Sequence, residues 1–299
     1  MHIYFMFVNN SRWPHIKFSD RIQIKGDIIE VHDENNDDVL NDLNINPIEI
    51  YKCMSFERSK SLIENTEQLC FVSPKLWVDP FESFLYDEKA FKSYNKKLFC
   101  FTASFMRSES EEALWKIYAN ESDKTHNIWR MIFINLLNTL ENYGKTTDTI
   151  FYLAPINYSK SKEAIKQLKN ITCNSIDNHI DRMSYKRKAF KSDHEIRIYA
   201  CVNADSNKGK DLLFINANLT NNNKKDKIIN SVILEPYPPY QNILKDPYGY
   251  AVKQHIRNLD MRDYYKKMSI RSEESRLYLV SDINKTTLTN RIKKIASNI

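Results

Sequence analysis

The sequence predicts an α+β fold, in which a mixed and largely antiparallel sheet carries flanking helices. Strand-like and helix-like runs follow one another irregularly along the 299 residues, without the regular strand–helix–strand order of a doubly wound sheet. Glycine occurs 4 times, and the sequence contains no glycine-rich phosphate loop. Hydrophobic residues make up 42% of the chain, which is sufficient for a core without disulfide or metal staples.

The first elements lie in residues 1–48, which we interpret as an N-terminal extension. The runs Ile3–Val8 and Arg21–Val31 are strand-like, and a polar segment over 33–38 marks a boundary. The start lacks the basic lead and cleavage site of a signal peptide, and no run reaches the roughly 20 apolar residues of a membrane span. None of the 5 cysteines forms a CxxC pair. We therefore expect a cytoplasmic protein in a reducing compartment, with no membrane attachment.

Residues 49–240 are expected to form the core, followed by a basic, helical region over 241–299 that packs on it. Strands are predicted over 48–53, 69–72, 97–102, 128–134, 150–156, 195–202 and 231–234. Helices are predicted over 57–68, 160–186 and about 240–268. A further helix begins at the capping box of Ser108 and Glu111, and another follows the strand 128–134 and ends at about residue 143. Pro80 interrupts helix and strand alike, so residues 77–82 should form a rigid loop. A last strand is expected over 276–280.

The run Asp193–Arg197 is the first candidate for chemistry. On a strand, alternate side chains share one face, so Asp193, Glu195 and Arg197 would line up, while His194 would face the other way. Carboxylates this close raise the pKa of one of them, and an adjacent arginine lowers it. Spacing alone favours a plainer interpretation, namely a solvent-facing strand with one ion pair.

Two further patterns are candidates of the same kind. Asp79 and Phe81 belong to an Asp-Pro-Phe-Glu loop, in which the aspartate alone would be read as a turn residue. Trp115 and Tyr118 share one side of a predicted helix, where ordinary packing is the simpler explanation. The histidines show no metal-binding spacing, and we expect no metal.

Together these patterns resemble a bacterial family of unknown function that is associated with abortive infection and phage defence. Its members carry an Asn-Asp-Pro-Phe-Asp/Glu loop, a Cys-Phe-Ser strand, a Trp-x-x-Tyr helix and a Trp-x-x-Glu-x-Glu-x-Arg strand. The corresponding segments, in the same order within about residues 48–240, are Val78–Glu82, Cys100–Thr102, Trp115–Tyr118 and Phe190–Arg197. Val78, Phe190 and Asp193 depart from the family pattern, and the missing asparagine puts any hydrogen bond made there in doubt.

More loosely, the layout resembles the ADP-ribosyltransferase plan, which implies an ADP-ribosyltransferase-like core and NAD as the substrate. In such enzymes one acid of a late strand stabilises the sugar cation formed when nicotinamide leaves, and a second acid positions the acceptor. The resemblance gives Glu195 the first role and Asp193 the second, with Arg197 completing the catalytic set. The NAD contacts that it implies are Tyr51 or Lys52 as anchor, Ser73, Asp79, Phe81, and Trp115 or Tyr118 stacked on nicotinamide.

The formal net charge of +6 is mild for this length, but basic residues gather in the C-terminal half. Candidate nucleic-acid contacts are Lys186, Arg187, Lys188, Arg257, Lys266 and Lys267. The target of modification is expected to be a nucleic acid, RNA included, or a protein, and a toxin of this kind is expected to have an antitoxin partner. For the segment 253–271, a solvated helix face is the plainer interpretation.

Two other functions stay open from the sequence. A metal-dependent nuclease would use Asp79 with Glu195 as Mg²⁺ ligands. Arg197 weakens this hypothesis, because arginine stands where such sites have a lysine and cannot act as a base. A non-enzymatic module would instead bind a phosphate backbone through the basic C-terminal segment.

Overall fold

The computed structural model describes residues 3–6, 15–17, 22–25, 28–31, 49–79, 81–82, 98–106, 115, 125–159, 162, 166, 176–203, 210–220, 226–236 and 250–275. Its strands are β1 (Ile3–Met6), β2 (His15–Lys17), β3 (Ile22–Lys25), β4 (Ile28–Val31), β5 (Glu49–Ser55), β6 (Gln68–Val72), β7 (Leu98–Met106), β8 (His126–Ile132), β9 (Ile150–Pro155), β10 (Asn157–Ser159), β11 (Tyr185–Arg187), β12 (Glu195–Asn203), β13 (Leu212–Asn216), β14 (Ile229–Leu234) and β15 (Arg271–Glu274).

The strands form one large sheet and two small ones. The main path of the large sheet runs β15-β14-β8-β5-β7-β12-β9-β1-β2, and β6 and β13 branch from it. Most neighbours are antiparallel, and the pairs β1–β9 and β14–β15 are parallel. This arrangement confirms the predicted α+β class with a largely antiparallel sheet. Strand β1 lies within residues 1–48, and it joins the sheet at β9.

Strand β7 has two different partners along one edge, and the sheet forks there. Tyr51 of β5 pairs with Met106 at one end, and Val72 of β6 pairs with Thr102 nearer the middle. Continuing the register of β6 by two residues would bring Cys70 opposite Ser104. We call the opening between β5 and β6 at Ser104 the fork.

In the described part of the chain, four helices with defined bounds flank the sheet: α1 (Phe56–Thr66), α2 (Phe133–Thr147), α3 (Ile176–Met183) and α4 (Tyr250–Lys267). Ser55 caps α1, because its hydroxyl accepts a hydrogen bond from the Arg58 amide at 3.4 Å. Side chains of α1, α2 and α4 share the main core with Ile196, Ile198 and the other apolar residues on one face of β12. Among the described residues, no helix is long and apolar enough to cross a membrane.

The opposite face of the sheet has two smaller apolar clusters. One joins Ile180 and Met183 of α3 to Tyr199 and Cys201 of β12. The other joins Trp115, which lies in a helical segment, to Met106 and Tyr51. Glu195 and Arg197 lie on this second face, since they alternate with the core residues of β12.

Several boundaries differ from the prediction. Residues 185–187 form strand β11 rather than the end of a helix, because they pair in parallel with β10. Strand β7 continues to Met106, and a short strand over Arg271–Glu274 was not predicted. The strand expected over 276–280, the capping box at Ser108 and the polar segment 33–38 lie outside the described residues.

Candidate active site

Glu195 is the first residue of β12, and it is almost completely buried, with 4% of its surface exposed. Its Oε1 accepts a hydrogen bond from Arg197 Nε at 2.7 Å, and its Oε2 accepts one from Lys186 Nζ at 2.9 Å. Burial by itself would raise the pKa of Glu195, but the charges of Arg197 and Lys186 outweigh it and lower the pKa to about 2. The carboxylate is therefore ionised at every physiological pH.

Arg197 connects β12 to the Asp-Pro-Phe-Glu loop. Its Nη2 donates to Glu82 Oε1 at 2.5 Å and its Nη1 to the Met183 carbonyl at 3.1 Å. The guanidinium also lies 4.4 Å from the ring centroid of Trp77, within the range of a cation–π contact. Burial favours the neutral form, yet the neighbouring carboxylates, Glu195 first, keep the pKa of Arg197 above its usual value.

The loop is fixed from its other end by Asp79. One carboxylate oxygen accepts the Phe81 amide at 2.9 Å, which is a local turn bond. The other oxygen accepts Arg187 Nε at 3.1 Å. Asp79 therefore has the turn role that spacing alone suggested, and it also ties the loop to β11.

These side chains form one charge cluster, composed of Asp79, Glu82, Lys186, Arg187, Glu195 and Arg197. Three are acidic and three are basic, so the cluster is neutral overall. Burial of charged groups is tolerated only when they are paired and hydrogen-bonded, as they are here. The cluster joins the two motifs that the sequence singled out at Asp79 and at Glu195.

The fork lies directly beside this cluster. Ser104 is exposed although its neighbours Ala103 and Phe105 on β7 are buried, and its hydroxyl hydrogen-bonds the Glu195 carboxylate. A central strand is normally covered on both sides, so an exposed serine there marks an opening to solvent. The fork thus gives solvent access to the edge of the charge cluster.

Two cationic side chains lie at the fork. Lys52 of β5 donates from Nζ to the Ser104 carbonyl at 3.0 Å, and Arg58 of α1 lies with Nη2 3.3 Å from Cys70 Sγ. Burial and the charge of Arg58 lower the pKa of Lys52 to about 8. Within the described part of the chain, neither has a carboxylate ion-pair partner, so an anion at the fork would be attracted by both.

The structure separates the other predicted NAD contacts. Tyr51 lies on the same face as Glu195, with Met106 between them in register, whereas Lys52 lies on the opposite face. Trp115 packs in the cluster of Tyr51 and Met106, and its buried Nε1 has no hydrogen-bond partner among the described residues.

Ser73, the predicted strand-end serine, is buried just after β6, and its amide bonds the Asp211 carbonyl. Tyr118 lies outside the described residues, so its predicted stacking role stays a prediction.

Asp193 does not continue the face of β12, contrary to the expected alignment. It is the last residue of a 3-10 helix over Lys188–Asp193, and His194 follows in the left-handed region with φ of 40°. The backbone therefore turns between Asp193 and Glu195, and the strand begins only at Glu195. His194 itself is exposed.

The predicted nucleic-acid residues fall into different environments. Lys186 is buried, lies 4.7 Å from the Phe190 ring centroid and pairs with Glu195, so it is not available to a polyanion at the surface. Arg187 is half-exposed and pairs with Asp79. Lys188, Lys266 and Lys267 are exposed, whereas Arg257 is partly buried.

Sequence reasoning missed three parts of the site. Lys186 looked like one of a basic run, and its pairing with Glu195 follows from β11 being a strand. Arg58 carried no signal, because it is one charged residue on a surface helix. The exposure of Ser104 was hidden in the apolar run of β7, since it results from the fork.

Within the described ranges, no group of three or more His, Cys, Asp or Glu side chains is placed to hold a metal ion. Comparison of the chain with models of known protein families, with curated proteins and with solved structures finds no match.

Proposed function

We propose that this chain is an ADP-ribosyltransferase-like enzyme that takes NAD at the fork and transfers ADP-ribose to a macromolecular target. The observation that carries the proposal is the exposed Ser104 at the fork, hydrogen-bonded to the ionised Glu195 and flanked by Lys52 and Arg58. Lys52 and Arg58 have no carboxylate ion-pair partner in the described ranges, and such cations near a fixed carboxylate suit a ligand that has both a diphosphate and a ribose.

The protein's main contribution to this reaction is a fixed charge placed near the reacting sugar. The bond between ribose C1′ and nicotinamide breaks, nicotinamide leaves with the bonding electrons, and a sugar cation develops. A nucleophilic atom of the target then bonds to C1′ and releases its proton to water. A preorganised carboxylate near that cation stabilises the transition state, and removal of such a group typically costs about 10²–10³ in rate. In this proposal Glu195 supplies the negative charge, and Ser104 holds a ribose hydroxyl at the fork.

The diphosphate would lie between Lys52 and Arg58. The aromatic pair Tyr51 and Trp115 lies on the Glu195 face, and the unpartnered Trp115 Nε1 would donate to the nicotinamide carboxamide. Burying an unpaired donor costs roughly 1–3 kcal/mol, so a ligand acceptor at this point would be favourable.

For the target, a nucleic acid is the acceptor that the surface favours. Lys188 and Lys191 are exposed on the 3-10 helix that leads directly into Glu195. A phosphate backbone on these lysines would bring a nucleotide to the edge of the charge cluster. From the family resemblance of the sequence motifs, we also propose a phage-defence or toxin role with an antitoxin partner.

A nuclease is disfavoured by the contacts of its two supposed metal ligands. Asp79 is occupied by Arg187, and Glu195 by Arg197 and Lys186. A divalent cation would have to displace these charged partners from buried positions.

The test is transfer of labelled ADP-ribose from NAD into a cell extract, with RNase, DNase and protease digestion to identify the acceptor. We expect Glu195→Gln to lower turnover about 10²-fold or more. Ser104→Ala and Lys52→Met should lower kcat/KM without unfolding the protein, because both residues lie at the fork. The matched control is Lys60→Met, an exposed lysine of α1 whose pair with Glu64 is superficial.

Absence of NAD turnover by the wild-type chain in extract would refute the proposal. So would wild-type rates in a folded Glu195→Gln or Lys52→Met protein.

A further inference from the structure

A second concave site lies away from the fork, between α2 and the end of β13. It is a cavity of about 680 Å³, within the range of roughly 300–1,000 Å³ that is typical of small-molecule sites. Asn142 and Tyr143 of α2 line one side, Asn216 and Asn218 line another, and Glu67 lines the end. The charge cluster and the fork do not use these residues.

The lining is rich in hydrogen-bonding groups and poor in charge. Three asparagines and two threonines, Thr139 and Thr146, surround one carboxylate, and among the described residues no lysine or arginine lines the cavity. In the described lining, an anionic ligand would meet Glu67 without a compensating cation. A neutral ligand with many hydroxyls fits this lining better, because amides both donate and accept and a carboxylate accepts from hydroxyls.

The polar groups are held in place by the frame around them. The Ala217 amide donates to the Glu67 carbonyl at 2.8 Å, and the Ile228 amide donates to the Asn218 carbonyl at 2.9 Å. Gln68 Nε2 donates to Asn216 Oδ1 at 2.8 Å, and this leaves the Asn216 amide nitrogen as the free end of that side chain. These bonds hold the backbone of the lining and the Asn216 side chain in place, so ordering them on binding costs little.

Several hydrogen-bonding positions remain unused. In the described part of the chain, the side-chain amides of Asn142 and Asn218 make no hydrogen bond. Thr220 bonds Glu67 at Oε1, so Oε2 remains open. Tyr143 adds an aromatic wall, since its ring packs edge-on against Phe151 at 6.3 Å and is thereby fixed.

We propose that this cavity binds a neutral sugar ring, with Asn142, Asn216, Asn218 and Glu67 bonding its hydroxyls and Tyr143 packing on its apolar face. A nucleobase is a poorer fit, because a planar base needs stacking surfaces on both sides and Tyr143 is the one aromatic residue among the described residues that line the cavity. The inference does not depend on the function proposed for the fork.

The test is saturation-transfer NMR of the full chain with methyl α-D-glucoside, methyl α-D-mannoside and D-ribose, each compared with adenine and inorganic phosphate. We expect at least one sugar to bind with a Kd of roughly millimolar order, as suits so small a ligand. Asn142→Leu with Asn218→Leu should weaken that binding at least tenfold. Asn138→Leu, an exposed asparagine of the same helix outside the cavity, should leave it unchanged.

If the double variant does not fold, Asn142→Ala alone takes its place, since this exposed position tolerates truncation. The proposal is overturned if no sugar binds the wild-type chain, if binding survives loss of the asparagines, or if adenine or phosphate binds in preference to the sugars.

Discussion

Arg197 is the residue on which the charge cluster depends, because it contacts both Glu195 and Glu82. Replacing it with leucine would leave two buried carboxylates without their principal partner. Breaking a buried pair in this way typically costs about 3–5 kcal/mol. We expect Arg197→Leu to lose stability of that order in urea unfolding.

The cluster contains its own control for this experiment. Arg187 pairs with Asp79 in a similar way, but its side chain is 44% exposed. An exposed pair contributes about 0–1 kcal/mol, so Arg187→Leu should cost little. Equal losses in the two variants would show that burial does not set the strength of these pairs.

At the same scale, the sequence predicted part of the site. Glu195 and Asp79 could be selected because their motifs fix local spacing. Lys186 could not be recognised as a partner of Glu195, because a lysine among basic neighbours looks the same whether it is paired or solvated. Asp193 was expected to align with Glu195, and the turn at His194 prevents this.

Among the elements, α4 is joined to α1 and β8 by a short chain of buried hydrogen bonds. Trp129 Nε1 donates to Ser59 Oγ at 2.6 Å, and Ser59 Oγ lies 2.6 Å from Tyr265 OH. Tyr265→Phe removes one end of the chain, and a cost of about 1 kcal/mol is expected in the free energy of unfolding.

The neighbouring tyrosine gives the comparison. Tyr264 OH is buried and has no hydrogen-bond partner within the described residues, so Tyr264→Phe removes an unpaired polar group and should be neutral or slightly stabilising. A larger loss from Tyr264→Phe than from Tyr265→Phe would contradict this account. Both changes can be measured by chemical denaturation of otherwise identical chains.

Element positions were largely predictable where the pattern is local. The alternation of β12 and the helical run of α1 are visible in the sequence, and both elements form near the expected residues. Strand β11 was mistaken for helix because Tyr185–Arg187 is short and basic, and its structure is set by pairing with β10.

In the whole molecule, Glu195 makes stability depend on acidity. Its pKa is about 2 in the folded chain, against an ordinary value of 4.5. A depressed carboxyl pKa stabilises the fold fully above pH 4.5, and this contribution is lost as the pH falls toward 2. At about 1.4 kcal/mol per pKa unit, the loss is on the order of 3 kcal/mol.

We therefore expect the free energy of unfolding to fall between pH 4.5 and 2, with a shallower fall in Glu195→Gln. Urea unfolding at closely spaced pH values measures the slope. The same slope in wild type and variant would assign the acid sensitivity to other carboxyls.

The fork itself could not be predicted, since it arises from pairings between residues far apart in the chain. Tyr51 meets Met106, and Val72 meets Thr102, on one edge of β7. The local sequence of β5, β6 and β7 does not indicate where along β7 strand β5 pairs and where β6 pairs.

Cys100 and Cys201 lie opposite each other in register on β7 and β12, and both are buried. Their thiols can meet an alkylating reagent only when these two strands separate or the covering side chains move away. The rate of alkylation at this pair, followed by peptide mass spectrometry, therefore reports how often the centre of the sheet opens. Cys53, which is partly exposed, should be alkylated sooner than the buried pair, and it provides an internal reference for the reaction rate in the same sample.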